Sequence, residues 1–223
     1  MNRKAAGHLI GVAVLLLLVL YLNDLFVEQR LERYLVAHPE IVTRALAGQA
    51  AEKRASREAD ISRNLVTHWD DVAGTLAYAV QYDGHSFISR LVPISQVATS
   101  ATLNLIATDY RCGYCKADRA RVETLLKSHP HHEFVFLEAA VLGPESIRLA
   151  ESALSEASRE PLKYYGVHHR YFDAVQANTP SVEPDAERLA KTHRDIAAEV
   201  GINGTPTYVL SGMSHIGTLA AEN

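Results

Sequence analysis

The sequence predicts a mixed α/β (α+β) fold with a helical insertion, set behind an apolar N-terminal span and a helical arm. Three observations predict it. An unbroken apolar run ends at Leu22. A strand–helix–strand pattern runs from Thr102 to Leu137, with the only two cysteines at its first turn. A block of helices then separates that pattern from a last clear strand, Thr207 to Leu210.

The apolar span comes first. Arg3 and Lys4 precede a run from Leu9 to Leu22 that extends back to Ala5. At about 1.5 Å per helical residue, residues 5–22 reach roughly 27 Å, enough to cross a bilayer core with little tilt. Positive charge before the run, with Asp24 and Glu28 after it, orients the short N-terminus to the cytoplasm. A cleaved signal peptide needs small residues before the cut, and Tyr21-Leu22-Asn23-Asp24 offers none. The expectation is an uncleaved signal anchor over 1–23 in a bacterial inner membrane, single-pass, with the rest in the periplasm. A soluble periplasmic protein after signal cleavage is the alternative. Disulfides persist on that side, so a thiol pair can cycle there.

Residues 24–38 read as a helix, because Leu25, Phe26, Leu31, Tyr34 and Leu35 recur at helical spacing. His38-Pro39 interrupts it. A second helix is expected from Pro39 to about Arg63, with Ile41, Val42, Ala45 and Leu46 as an apolar stripe and a charged second half. This 24–63 arm is read either as a spacer stalk or as a homo-oligomerisation surface. Residues 64–101 are a connector that could hold a hairpin: Leu76 to Tyr82, an Asp83-Gly84 two-residue turn, then Phe87 to Val92.

The main domain is placed at 102–223. Thr102 to Thr108 is a strand, 113–127 a helix, and Phe134 to Leu137 the next strand. Helices are expected at about 145–158, 161–176 and 184–200, because Pro144, Pro161 and Pro184 mark helix starts and Gly201 a stop. After Pro206 little chain remains, with Ser214 to Leu219 as a further strand and one sheet face left open for a partner.

Composition narrows the function. The 223 residues suffice for one medium domain plus extra segments, and 48% are hydrophobic, as in a globular protein. A net charge of −4 leaves no basic footprint, so no nucleic-acid partner is expected. Cys112 and Cys115 are too close for their bridge to constrain the unfolded chain much. The pair therefore serves chemistry or a ligand.

A catalytic thiol needs a depressed pKa. Cys112, at the predicted start of the 113–127 helix, faces unpaired N–H groups and the positive end of the helix dipole. Cys115, one turn inside, lacks that help. Cys112 is thus the expected nucleophile and Cys115 the resolving thiol. A zinc half-site needs two more ligands. His129, His131 and His132 are the nearest, but they read as a polar turn, and no metal or cofactor is expected. His168, His169 and His193 lie on helical faces and read as structural or solvated. Gly204-Thr205-Pro206-Thr207 opens a strand with a proline, which is unusual. A cis bond before Pro206 is expected to turn the Thr205 backbone toward an extended substrate.

Asp109 to Lys116, Leu142 to Ser146 and Gly201 to Thr207 together resemble the DsbA-like group of bacterial thioredoxin-fold proteins, over residues 102–210. Tyr34 to Val42 is similar to the arm of ScsC-type members, whose related helices can build trimers, over about 28–60. The resemblance implies a thioredoxin fold with a helical domain inserted at about 143–200. It implies substrate contacts at Gly113, Tyr114, Thr205 and Pro206, protein thiols or disulfides as substrates, and a redox partner that resets the pair. Strongly oxidising members carry a histidine between the cysteines. Gly113 and Tyr114 are not cationic, and Thr205 precedes the proline as in disulfide isomerases, so isomerase or reductase is the expected direction. A non-enzymatic docking protein and copper handling by the thiol pair are the competing functions.

Overall fold

Six strands form one sheet in the computed structural model, which describes Tyr21, residues 26–174 and residues 182–219. They are β1 (Leu76–Tyr82), β2 (Phe87–Pro93), β3 (Asn104–Thr108), β4 (Phe134–Glu138), β5 (Thr207–Leu210) and β6 (Met213–Ile216). The order across the sheet is β2-β1-β4-β3-β5-β6. Only β3 and β4 are parallel; every other neighbouring pair is antiparallel. The parallel pair needs a crossover, which α4 (Gly113–Ser128) supplies.

The strands sort their side chains by alternation. Tyr78, Val80, Ile106, Phe134, Phe136 and Tyr208 enter one core. There they meet α4, α5 (Pro144–Arg159), α6 (Tyr164–Tyr171) and the first half of α7 (Pro184–Glu199). Ala77, Leu105, Ala107, Val135, Leu137 and Val209 enter a second core on the opposite face. Every residue of β4 is buried, as expected of a strand covered on both faces. Gly143, at φ 108°, makes the left-handed turn into α5, and Pro144 supplies the preset φ of a first helical residue.

Several expectations need correction. The domain does not begin at residue 102: β1 and β2 belong to the same sheet, because β1 pairs with β4 through Tyr78–Phe136 and Val80–Phe134. Their connection is not a two-residue turn. Tyr82 pairs with Phe87, and the loop between them is held by Asp83, whose Oδ1 accepts from the N–H groups of His85 and Ser86. The second sheet face is not open. The end of α2 (Pro39–Thr67) covers it with Ile61 and Leu65, joined by Val72 of the short α3 (Trp69–Gly74). Glu58 and Ser62 of α2 also tie down β6: Ser214 N–H donates to Ser62 Oγ at 3.2 Å and Ile216 N–H to Glu58 Oε1 at 2.9 Å. The Glu58 carboxylate and the Ser62 hydroxyl therefore grip a strand edge. The expected 161–176 helix is a 3-10 turn, Pro161–Lys163, followed by α6; residues 175–181 lie outside the described residues.

The chain divides into two compact units, Met1–Lys53 and Arg54–Asn223. In the first, α1 spans residues 26–37, and Phe26, Leu31, Tyr34, Val36 and Leu46 are exposed. Among the described residues no helix is long and apolar enough to cross a membrane. The expected anchor, residues 5–22, lies outside them apart from Tyr21.

One side chain replaces a rung of the sheet. The β1–β4 register places Leu76 opposite Glu138, but the buried His193 of α7 stands between them. Its Nδ1 accepts from Glu138 N–H at 3.2 Å, and its Nε2–H donates to the Leu76 carbonyl at 2.9 Å. Burial is the main reason its pKa sits below the ordinary histidine value. His193→Leu leaves both backbone groups unpaired and is expected to cost about 2–5 kcal/mol in urea denaturation. The unfolded chain takes up this proton first, so His193 stabilises the fold less as pH falls below about 6.5. The stability difference between wild type and His193→Gln is expected to narrow between about pH 7 and pH 5.

Candidate active site

The site forms where β3 ends. Asp109 is 1% exposed and organises the turn: its Oδ1 accepts from Arg111 N–H at 2.8 Å and its carbonyl from Cys112 N–H at 3.0 Å. Its Oδ2 accepts from Leu142 N–H at 2.9 Å, which joins the loop after β4 to the cysteine loop. Two loops from neighbouring strand ends thus share one carboxylate.

Cys112 is the N-cap of α4, with extended backbone (φ −78°, ψ 111°), and its Sγ accepts from Cys115 N–H at 3.3 Å. As a thiol it donates to the Thr205 carbonyl at 3.1 Å. Both cysteines are free and buried, as a dithiol. The Cys112 pKa is lowered to about 6. The hydrogen bond from the Cys115 thiol is the largest cause; burial opposes it, and Thr205 with the backbone N–H groups of Cys115 and Tyr114 adds support. That same bond, together with burial, pushes the Cys115 thiol far up. The two sulfurs therefore sit in unlike surroundings, the first at the helix start and the second inside it.

The structure places the expected site residues as follows. Gly113 is the first residue of α4, and Tyr114 beside it is 71% exposed. Thr205 comes from the turn before β5, and the bond to Pro206 is cis. The Pro206 carbonyl accepts from Gly217 N–H at 2.9 Å, so the turn is also tied to the end of β6. The structure therefore gathers Cys112, Cys115 and Thr205 directly and leaves Tyr114 facing solvent.

The sequence reading missed a buried polar cluster behind the site. Glu138, 1% exposed, accepts from the hydroxyls of Tyr110 at 2.7 Å and Tyr164 at 2.5 Å, with His168 Nδ1 at 3.0 Å from the same oxygen. Burial alone pushes its pKa up, but His168 and the two hydroxyls together hold it below the usual carboxylate range. A cavity of about 10 Å³ lies between His168 of this cluster and Cys115, lined also by Thr108 and Tyr208. The one available signal was a glutamate closing the apolar run Phe134-Val135-Phe136-Leu137. The buried Asp118 of α4 accepts from Tyr208 Oη at 2.5 Å and Leu219 N–H at 2.8 Å. Among the described residues one grouping of metal-type donors occurs: His68, Asp71 and Glu199, with ligand atoms within 4.8 Å of one another. It contains neither cysteine and none of His129, His131 and His132.

Cys115→Ala removes the thiol that donates to Cys112. The Cys112 titration, followed by iodoacetamide alkylation across pH, is expected to move up from about 6 toward the ordinary thiol value.

No family model and no curated protein matches the chain. Solved structures do. The thiol-disulfide exchange protein alpha-DsbA2 from Wolbachia pipientis is 17% identical, with 74% of this chain and 92% of that one covered, at a TM-score of 0.55. The catalytic domain of Proteus mirabilis ScsC is 16% identical, with 71% and 91% covered, at 0.55. Proteus mirabilis ScsC in a compact conformation is also 16% identical, with 87% and 99% covered, at 0.55. At such identities the likeness speaks for the architecture: the chain has the thioredoxin-like fold with inserted helices found in these DsbA-like proteins.

Proposed function

We propose that this chain is a thiol–disulfide oxidoreductase acting on proteins, with Cys112 as nucleophile and Cys115 as resolving thiol. The single observation that carries the reading is the placement of the sulfurs: Cys112 Sγ caps α4, accepts from Cys115 N–H at 3.3 Å and lies 3.1 Å from the Thr205 carbonyl before the cis-proline, with Cys115 buried one turn further in. Near neutral pH the Cys112 thiolate attacks a substrate disulfide. A mixed disulfide forms and one substrate thiolate leaves. Cys115 then loses its proton and attacks the Cys112 sulfur, closing the intramolecular disulfide and expelling the second substrate thiolate. Two protons end on the substrate thiols and two electrons leave the cysteine pair. Run backward, the sequence oxidises a substrate dithiol.

The sequence supports isomerase or reductase as the preferred direction, since neither Gly113 nor Tyr114 places a cation beside the thiolate. A redox partner then returns the pair to its dithiol form. Residues 5–22 are assigned to a membrane anchor that holds the catalytic unit on the periplasmic side. The exposed apolar side chains of residues 26–46 fit contact with further copies of the chain.

Insulin reduction tests the activity. Cys112→Ala is expected to abolish it, and Cys115→Ala to accumulate mixed disulfides visible on non-reducing gels. Wild-type turnover by the double Cys→Ser variant contradicts the reading. The direction is tested by the reduction potential, expected nearer the thioredoxin value of about −270 mV than the strong-oxidant value of about −120 mV.

A further inference from the structure

A second recess lies outside the cysteine site. It has a volume of about 760 Å³ and runs between α7, α5 and the β1–β2 hairpin. Leu76, Tyr78, Leu91, Leu154, Leu189 and Ile196 form its apolar lining. None of the residues that line it lines the cavity at Cys115, Tyr208 and His168. Its Leu76 end lies toward the same end of the sheet as the cysteines, because β1 runs antiparallel to β4 and β4 parallel to β3 toward Cys112.

Its polar groups say what kind of occupant fits. A small-molecule pocket converges several donors and acceptors on its ligand. Here three of the four lining hydroxyls donate back to their own backbone: Thr75 to the Asp71 carbonyl, Ser158 to that of Ser155, and Thr192 to that of Arg188. The fourth, the buried Tyr78 hydroxyl, has no hydrogen-bond partner among the described residues, so the lining offers one free hydroxyl rather than a convergent set. The lining face of α7 runs from Asp185 to Glu199, about 21 Å at helical rise. An extended chain covers that length with about six residues.

Charge adds direction. The ionisable lining residues are Asp71, Asp185, Arg188 and Glu199, with the Tyr78 phenol. Arg188 is ion-paired to Asp185, which leaves Asp71 and Glu199 as the acidic end, with His68 Nδ1 2.8 Å from Glu199. An apolar wall with an acidic end selects an apolar segment that carries a base.

We propose that this recess binds an extended apolar polypeptide segment bearing a basic side chain, as a second holding point for protein substrates. The assignment of that polypeptide as substrate rests on the oxidoreductase reading, but the binding itself needs no thiol.

The test uses the full chain in lipid nanodiscs, with empty nanodiscs as the blank, and fluorescence anisotropy of two labelled, cysteine-free apolar peptides. One is flanked by lysine and the other by glutamate. The lysine peptide is expected to bind wild type and the Cys112→Ser/Cys115→Ser variant alike, and the glutamate peptide about tenfold more weakly or worse. Asp71→Lys with Glu199→Lys, both exposed positions, is expected to weaken the lysine peptide by a similar factor, and Thr192→Trp to block it by filling the recess. Equal affinity for both peptides, or no effect of these variants while the fold is intact by circular dichroism, overturns the proposal. Binding lost only in the double cysteine variant overturns it too, because the thiols then hold the peptide. So does binding of a decyltrimethylammonium probe without either peptide, which marks a small-molecule site. Absent insulin reduction with lysine-peptide binding intact removes the oxidoreductase reading and leaves the recess standing.

Discussion

The approach of two thiols, one capping a helix and the other a turn inside it, is the interaction on which this structure's chemistry depends. A lone cysteine at a helix start gains the dipole and free N–H groups. Here the Cys115 thiol adds a donor of its own, and it is the strongest influence on Cys112. The bond also explains the asymmetry, because it stabilises one anion by keeping the other sulfur protonated. A single contact therefore sets apart two residues of the same type.

The rest of the fold holds that contact in place. Asp109 ties the cysteine loop to the loop after β4, and Thr205 comes in from the turn before β5. Beneath them, Glu138 is fixed through its side chain by Tyr110, Tyr164 and His168 and through its backbone by His193. One residue at the end of β4 thus belongs to both a buried polar cluster and the repaired rung between β1 and β4. A carboxylate buried this deeply is tolerated because each of its partners is itself buried and hydrogen-bonded.

The parts legible in the sequence were those with local signals. The strand–helix–strand around the cysteines, the proline-started helices and the Thr205–Pro206 turn each announce themselves within a few residues. What escaped depends on distant partners. Residues 52–63 read as part of a stalk or an oligomerisation surface because their charges dominate the composition. Ile61 and Leu65 are buried only because a sheet face from far along the chain meets them. The β1–β2 hairpin was readable as a hairpin, but its place beside β4 follows from register, which no local pattern states. The Glu138 cluster draws on β3–α4, β4 and α6, so its members are unremarkable singly; His168 in particular read as an ordinary helical histidine.

The central claim is electrostatic, so ionisation of the first sulfur tests it most directly. Thiolate absorbance near 240 nm, followed across pH in the reduced protein with Cys112→Ser as the blank, reports that ionisation. The account predicts a midpoint near 6 that vanishes in the blank. A midpoint at the free-cysteine value of about 8.5 contradicts it, because the helix start and the second thiol would then confer nothing.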